Sequence, residues 1–71
     1  MAVEVEAQIT GSVFQIEVAV GDAVGEEQVL AIIESMKMEI PVEAPCAGKV
    51  TEIRIAEGQS IEEGDVLMVL E

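Results

Sequence analysis

The sequence contains no histidine, a single cysteine, Cys46, and a single aromatic residue, Phe14. Without histidine, the commonest general base and metal ligand is missing. One cysteine cannot form an internal disulfide, which is typical of a reducing compartment, and we therefore predict a cytoplasmic protein. A chain of 71 residues also has a small core and little room for an enclosed active site. These shortages argue against an autonomous enzyme.

Basic residues and long apolar runs are scarce as well. The chain has three basic residues (Lys and Arg together) and fifteen acidic residues (Asp and Glu together), which gives a formal net charge of −12. Such a chain would be repelled by phosphate backbones and anionic lipids, so we predict neither a nucleic acid nor a membrane partner. No apolar stretch approaches the roughly 18 residues that a membrane span needs, and the first residues do not resemble a signal peptide. We expect a soluble chain that is monomeric in isolation.

The sequence is internally duplicated. A shift of 37 positions aligns residues 3–34 with residues 40–71, and 12 of the 32 aligned positions are identical. The identical pairs are Val5/Val42, Glu6/Glu43, Ala7/Ala44, Gly11/Gly48, Val13/Val50, Ile16/Ile53, Ala19/Ala56, Gly21/Gly58, Glu26/Glu63, Val29/Val66, Leu30/Leu67 and Glu34/Glu71. A repeat that cannot bury its apolar face alone packs against its copy. We therefore predict a single domain over residues 1–71, with only residues 35–39 between the two copies.

Alternation of apolar and polar residues indicates half-buried strands in both copies. The alternating positions are Val3, Val5, Ala7, Ile9, Phe14, Ile16 and Val18, and in the second copy Ile40, Val42, Ala44, Cys46, Thr51, Ile53 and Ile55. The apolar runs 29–33 and 66–70 predict more fully buried strands. About four strands per half predict an all-β fold, a flattened antiparallel barrel or sandwich of two four-stranded sheets with pseudo-two-fold internal symmetry.

An amphipathic helix competes with a strand in the middle of the chain. Its apolar stripe would be formed by Val29, Ile32, Ile33, Met36 and Ile40, which lie at helical spacing. The second copy favours the strand, because its equivalent run is dense in Val and Leu and stops at Glu71, and Pro41 interrupts the first copy. We predict a strand here. The last strand of the first copy and the first strand of the second then form a hairpin, with Lys37 exposed at or near its tip.

The six residues from Glu34 to Glu39 read Glu-Ser-Met-Lys-Met-Glu, which resembles the biotin attachment motif of biotin carboxyl carrier domains. The turns at 20–24 and 44–50 also resemble those of the family, so the resemblance covers almost the whole chain. In that family a biotin protein ligase joins the lysine to biotin through an amide. The resemblance implies covalent biotin on Lys37 and partnership with a biotin carboxylase and a carboxyltransferase. It implies a non-catalytic carrier, since the cofactor performs the transfer.

The neighbours of Lys37 are predicted to be recognised by the ligase and the partner enzymes. Met36 and Met38 offer flexible apolar contacts, although methionine is often simple core filler. Glu34 and Glu39 could guide the ligase electrostatically, although solvated strand-end charges are an equal explanation. Ser35 belongs to the same motif. The remaining thiol, Cys46, aligns with Ile9 and is interpreted as a small core residue.

Two alternatives to biotin stay open at this point. Lipoyl domains share the fold but usually have Asp-Lys-Ala around the lysine, which Met36 and Met38 do not resemble. An unmodified interaction module is the second alternative, because a fold alone does not establish that a lysine is used. One departure concerns turn geometry. The glycine that the family places near position 27 is expected to be displaced here to Gly25.

Overall fold

The computed structural model describes residues 2–71 and consists of eight β-strands and their turns. The strands are β1 (Val3–Glu6), β2 (Gly11–Ile16), β3 (Ala23–Val24), β4 (Val29–Ser35), β5 (Met38–Glu43), β6 (Gly48–Ile53), β7 (Ser60–Ile61) and β8 (Val66–Leu70). The segment that could have formed an amphipathic helix, residues 29–40, forms β4, a turn and the start of β5, so the predicted strand is confirmed. Over residues 2–71, no helix has the length and apolarity to cross a membrane.

The strands form two four-stranded antiparallel sheets, in the orders β1-β8-β6-β3 and β5-β4-β2-β7. Under the 37-residue shift the strands β1, β2, β3 and β4 are equivalent to β5, β6, β7 and β8. Exchanging equivalent strands converts one order into the other. The registers agree too, since Val13 faces Ile33 in one sheet and Val50 faces Leu70 in the other. The predicted all-β fold of two four-stranded sheets is therefore confirmed. The two sheets are equivalent because each is built from the same pattern of apolar residues.

A β-bulge corrects one part of the predicted alternation. In β2 the register shifts between Val13 and Gln15, so Phe14 is an extra residue without a partner on β4. As a result Val13 is buried, while Phe14 is 49% exposed and not part of the predicted apolar face with Ile16. The second copy has the same bulge, between Val50 and Glu52. Period-2 patterning fails here because the extra residue reverses which side chains point inward.

The core consists of two clusters of aliphatic side chains between the sheets. The first cluster contains Val5, Val24, Leu30, Ala44, Val50, Met68 and Leu70, and the second contains Ala7, Val13, Ile33, Ile61 and Leu67. Strands β4 and β8 supply many of these residues, as expected for the two most apolar runs. Cys46 is half-buried and packs against the first cluster, while Ile9 packs against the second. The thiol thus occupies the place of an aliphatic side chain.

The turn before β4 differs from its equivalent before β8. Gly64 has a φ of 93°, and the aligned residue in the first copy, Glu27, has a φ of 69°. The left-handed conformation therefore stays at position 27, and the expected displacement to Gly25 is wrong. The backbone path of the turn is conserved between the copies, but a residue with a side chain occupies the position where glycine is favoured.

Candidate functional site

The hairpin formed by β4 and β5 holds Lys37. The two strands pair antiparallel from Val29 and Glu43 to Ser35 and Met38. Only Met36 and Lys37 remain to connect them, which makes a two-residue turn. Lys37 is exposed there, at the tip predicted from the sequence. Residues 34–39 thus lie together on one short structural element.

Both residues of the turn adopt the left-handed conformation, with φ of 52° at Met36 and 65° at Lys37. Two successive positive φ values in a two-residue hairpin loop indicate a type I′ turn, which normally prefers Asn-Gly. For residues with a Cβ atom this conformation costs about 1–2 kcal/mol each. Backbone strain of this kind concentrates at functional sites, where the surrounding structure imposes it. Here a well-paired hairpin imposes it.

The two methionines next to Lys37 are exposed to solvent. Met36 is 91% exposed and Met38 is 60% exposed, and neither belongs to a core cluster. The core-filler interpretation therefore does not apply to them. Their apolar side chains flank Lys37 in the sequence and pack against neither core cluster.

The end of β4 next to the turn is fixed to the segment that leads into β2. Ser35 is buried, and its hydroxyl donates a hydrogen bond of 2.9 Å to the carbonyl oxygen of Thr10. Next to this contact, Gly11 lies so close to Glu34 that a methyl group at Gly11 would overlap the Glu34 carbonyl oxygen. The structure thus gives Ser35 a positioning role, holding the strand that carries Lys37. This contact was not foreseen from the sequence.

The charges around the hairpin are mostly negative. Glu34 and Glu39 lie directly opposite each other across the two strands, and both are exposed. Like charges in this arrangement destabilise a strand pair. Within residues 2–71 the ion pairs are those of Arg54 with Glu4 and Glu52, so Lys37 forms none. A hydrogen bond from Arg54 to Glu52 raises the pKa of the Arg54 guanidinium above its ordinary value.

The hairpin tip is open, and chemistry at Lys37 would need groups from elsewhere. A groove of about 440 Å³ lies between the edge strands β1 and β5, but its lining residues are all outside 34–39. In the part of the chain that the structure describes, no group of three or more Cys, Asp and Glu could hold a metal ion. What the tip presents is a free primary amine with apolar neighbours.

Comparison with known proteins agrees with this geometry. A family model described as "Biotin-requiring enzyme", that of the biotin/lipoyl family, matches residues 1–70. The chain belongs to the biotin/lipoyl family. The resemblance found in the sequence is thereby confirmed, and family membership assigns biotin as the cofactor.

Individual relatives of the family are also similar. Over 41 residues the chain is 51% identical to the biotinylated protein TB7.3 homolog of Mycobacterium leprae and 46% identical to biotinylated protein TB7.3 of Mycobacterium tuberculosis. Each match covers 58% of this chain and 58% of the relative. These relatives are therefore matched over little more than half of their length.

Solved structures match over almost the whole chain. The urea carboxylase of Kluyveromyces lactis matches 100% of this chain with a TM-score of 0.94 and 35% identity. A single-chain, multi-domain long-chain acyl-CoA carboxylase matches 96% of it with a TM-score of 0.91 and 28% identity. The matches occupy 6% and 7% of those chains. This biotin/lipoyl domain is thus similar to a small part of large carboxylases.

Proposed function

We propose that Lys37 is the residue to which biotin is attached, through an amide between its Nζ atom and the carboxyl group of biotin. The observation that carries the proposal is the exposed, unpaired amine on a two-residue turn of a biotin/lipoyl domain. The residues present fit the group. An amine in solvent can be approached from outside, and no ion pair within residues 2–71 has to be broken first.

The chain itself contributes positioning to attachment. The type I′ turn projects the Lys37 side chain away from the sheets, and the Ser35 hydrogen bond fixes the strand that leads into the turn. A deprotonated Nζ attacks the carbonyl carbon of an activated biotinyl donor, the C–N bond forms, and the activating group leaves. Within residues 2–71 no ion pair or side-chain hydrogen bond reaches Lys37 to activate it, so a biotin protein ligase forms the activated donor from biotin and ATP. Attachment removes the positive charge of Lys37.

The proposed role is that of a carrier in a biotin-dependent carboxylase. When bound, biotin supplies the transfer of a carboxyl group between two enzymes, a biotin carboxylase and a carboxyltransferase. The domain supplies a rigid base and an unobstructed tip, so that the tethered group reaches each partner at a high effective concentration. The domain is not catalytic alone in this proposal. Its place is the cytoplasm, for which the free thiol of Cys46 is suitable.

The side chains that neighbour Lys37 in the sequence are proposed to be recognised by the ligase and the partner enzymes. Met36 and Met38 offer flexible apolar contacts to a partner. Because they pack against no core cluster, a partner can contact them without disturbing the folded domain. Glu34 and Glu39 place two carboxylates beside the same turn. A basic group of the ligase would relieve their mutual repulsion, which makes this pair a site for electrostatic recognition.

The test is intact-mass spectrometry with peptide mapping after incubation with biotin, ATP and a biotin protein ligase. The chain has two lysines, so Lys37→Arg and Lys49→Arg are matched variants. We expect one biotin on the unmodified sequence and on Lys49→Arg, and none on Lys37→Arg. A biotin on Lys49, or no adduct at all, would contradict the proposal. A lipoyl adduct alone, in a parallel incubation with a lipoyl ligase, would favour lipoyl carriage instead.

A further inference from the structure

The methionines within residues 2–71 differ sharply in their access to solvent. Met36 is 91% exposed, Met38 is 60% exposed, and Met68 is fully buried in the first core cluster. The two exposed thioethers flank Lys37 in the sequence and lie on the same hairpin. Thioether oxidation depends on access of the oxidant to sulfur. Among these three methionines, the sulfur atoms of Met36 and Met38 are therefore open to oxidants, and that of Met68 is shielded by the core.

We propose that Met36 and Met38 are an oxidation site for hydroperoxides, and that their conversion to sulfoxides slows attachment at Lys37. In the reaction the thioether sulfur attacks one oxygen of the peroxide. An S–O bond forms and the O–O bond breaks, the sulfur loses two electrons, and the leaving oxygen takes up a proton to give water or an alcohol. This inference rests on the proposed function of Lys37.

The backbone conformation of the turn keeps the Met36 sulfur exposed. A positive φ at Met36 holds this residue in the turn, away from both core clusters, so no small rearrangement would bury its sulfur. Asparagine, aspartate or glycine would serve the turn better, and none of them would react with peroxide. Within residues 2–71 the remaining sulfur atom is that of Cys46, which is half-buried against the first core cluster. The test must therefore exclude this thiol.

Oxidation changes the surface that a ligase would contact. A sulfoxide replaces a polarizable apolar atom with a strongly polar S=O group, which must lose water when it enters an apolar contact. The barrel should be unaffected, because neither Met36 nor Met38 packs in a core cluster. We expect about a tenfold fall in kcat/KM for biotin attachment, equivalent to roughly 1.4 kcal/mol. Reduction by methionine sulfoxide reductases should restore the rate.

The experiment uses the full chain carrying Cys46→Val, which removes the thiol and keeps an aliphatic side chain at a position where the copy has Ile9. The protein is treated with hydrogen peroxide and mapped by mass spectrometry, and ligation rates are measured before and after. Two further variants, Met36→Leu with Met38→Leu and Met68→Leu, are treated in parallel. Each protein is compared only with its own untreated rate, since leucine at the turn can itself alter recognition.

The expected result is one added oxygen on each of Met36 and Met38, none on Met68, and a tenfold slower ligation that reductase treatment reverses. The Met68→Leu protein should respond in the same way, and the double leucine variant should not respond. Oxidised protein that is ligated at the untreated rate would overturn the proposal, as would oxidation first at Met68. Failure of Lys37 attachment in untreated protein is a separate outcome, which contradicts the proposed function. An unchanged urea midpoint after treatment excludes unfolding as the cause.

Discussion

At the scale of single residues, the two copies differ in how well their side chains suit the backbone. Position 27 and its equivalent, position 64, have the same left-handed conformation, but the first is Glu27 and the second is Gly64. Only glycine adopts this conformation without a steric cost. No Cβ contact opposes a side chain at Gly64, so the difference between the two positions is conformational.

Glu27→Gly should therefore stabilise the domain by about 1 kcal/mol, and Gly64→Ala should destabilise it by about the same amount. The glycine gains less than the full strain energy, because it also increases the entropy of the unfolded chain. Urea unfolding followed by circular dichroism would measure both changes. A loss of stability in Glu27→Gly would show that the Glu27 side chain contributes more than its backbone strain costs.

Gly11 is a second residue whose size matters, because of what it touches. A Cβ atom there would overlap the Glu34 carbonyl oxygen, while a Cβ atom at the equivalent Gly48 would lie 3.0 Å from the Glu71 carbonyl oxygen. Backbone atoms in a paired strand cannot yield as a side chain can. We expect Gly11→Ala to cost about 2 kcal/mol or more in unfolding free energy and Gly48→Ala to cost less.

The same pair of variants separates stability from positioning. Gly11→Ala displaces the strand that carries Lys37, whereas Gly48→Ala acts on β8, away from the hairpin. Ligation rates at a temperature where both variants are folded should therefore fall more for Gly11→Ala. Equal rates would mean that the Gly11 contact serves folding alone.

At the scale of elements, the hairpin that holds Lys37 was predictable in place but not in conformation. The apolar alternation and the duplication predicted that two strands meet around residues 35–39, and they do. The turn itself has no glycine, asparagine or aspartate to indicate positive φ, so the strain at Met36 and Lys37 could not be read from propensity. The bulge at Phe14 was also missed, since nothing in the local sequence distinguishes an extra residue from continued alternation.

The cross-strand pair Glu34 and Glu39 provides a prediction about this hairpin. Replacing both with Gln removes the repulsion between two carboxylates that face each other, and should raise the unfolding free energy by a few tenths of a kcal/mol. The same change should lower kcat/KM for ligation, because the two charges that attract a basic group are gone. A double variant of exposed acids at the end of the hairpin away from the turn, Glu17→Gln with Glu26→Gln, controls for the change in net charge.

The salt dependence of ligation distinguishes recognition from simple net charge. Added salt should lower the ligation rate of the original chain. If Glu34 and Glu39 act directly, the ligation rate of their double variant should depend much less on salt. The control variant should keep the salt dependence of the original chain. A double variant that is ligated at the original rate at low salt would assign these carboxylates to solvation alone.

At the scale of the whole molecule, the duplication explains why so much of the fold could be predicted. Most apolar positions were supported twice, once in each copy, so a single ambiguous segment such as β4 could be decided by its equivalent β8. The order of strands within each sheet was not predictable, because it depends on how the copies interlock. Each sheet combines strands of both halves: β1 and β3 join β6 and β8, and β5 and β7 join β2 and β4. Neither half contains a complete sheet.

The same symmetry predicts that a second acceptor site can be built at the chain ends. Val3 faces Leu70 in the register in which Ile40 faces Ile33, so β1 and β8 are placed like the two strands of the hairpin that holds Lys37. Under the 37-residue shift Met1 and Ala2 align with Met38 and Glu39, and Glu71 aligns with Glu34. A Ser-Met-Lys linker from Glu71 to Met1, with the chain reopened between Gly25 and Glu26, therefore recreates the motif with one acid missing.

This circular permutant should fold into the same barrel and accept two biotins, one on Lys37 and one on the linker lysine. The inserted serine would reach the carbonyl oxygen of Ala47, which is equivalent to Thr10, and Gly48 already provides the close approach that Gly11 provides at the natural hairpin. The second site should be slower, since Ala2 replaces the carboxylate of Glu39. Intact mass and peptide mapping measure both sites, and a linker with Arg in place of Lys is the control. A folded permutant with biotin on Lys37 alone would mean that recognition needs the second acid or other groups specific to the first hairpin, because the strand geometry is matched at both.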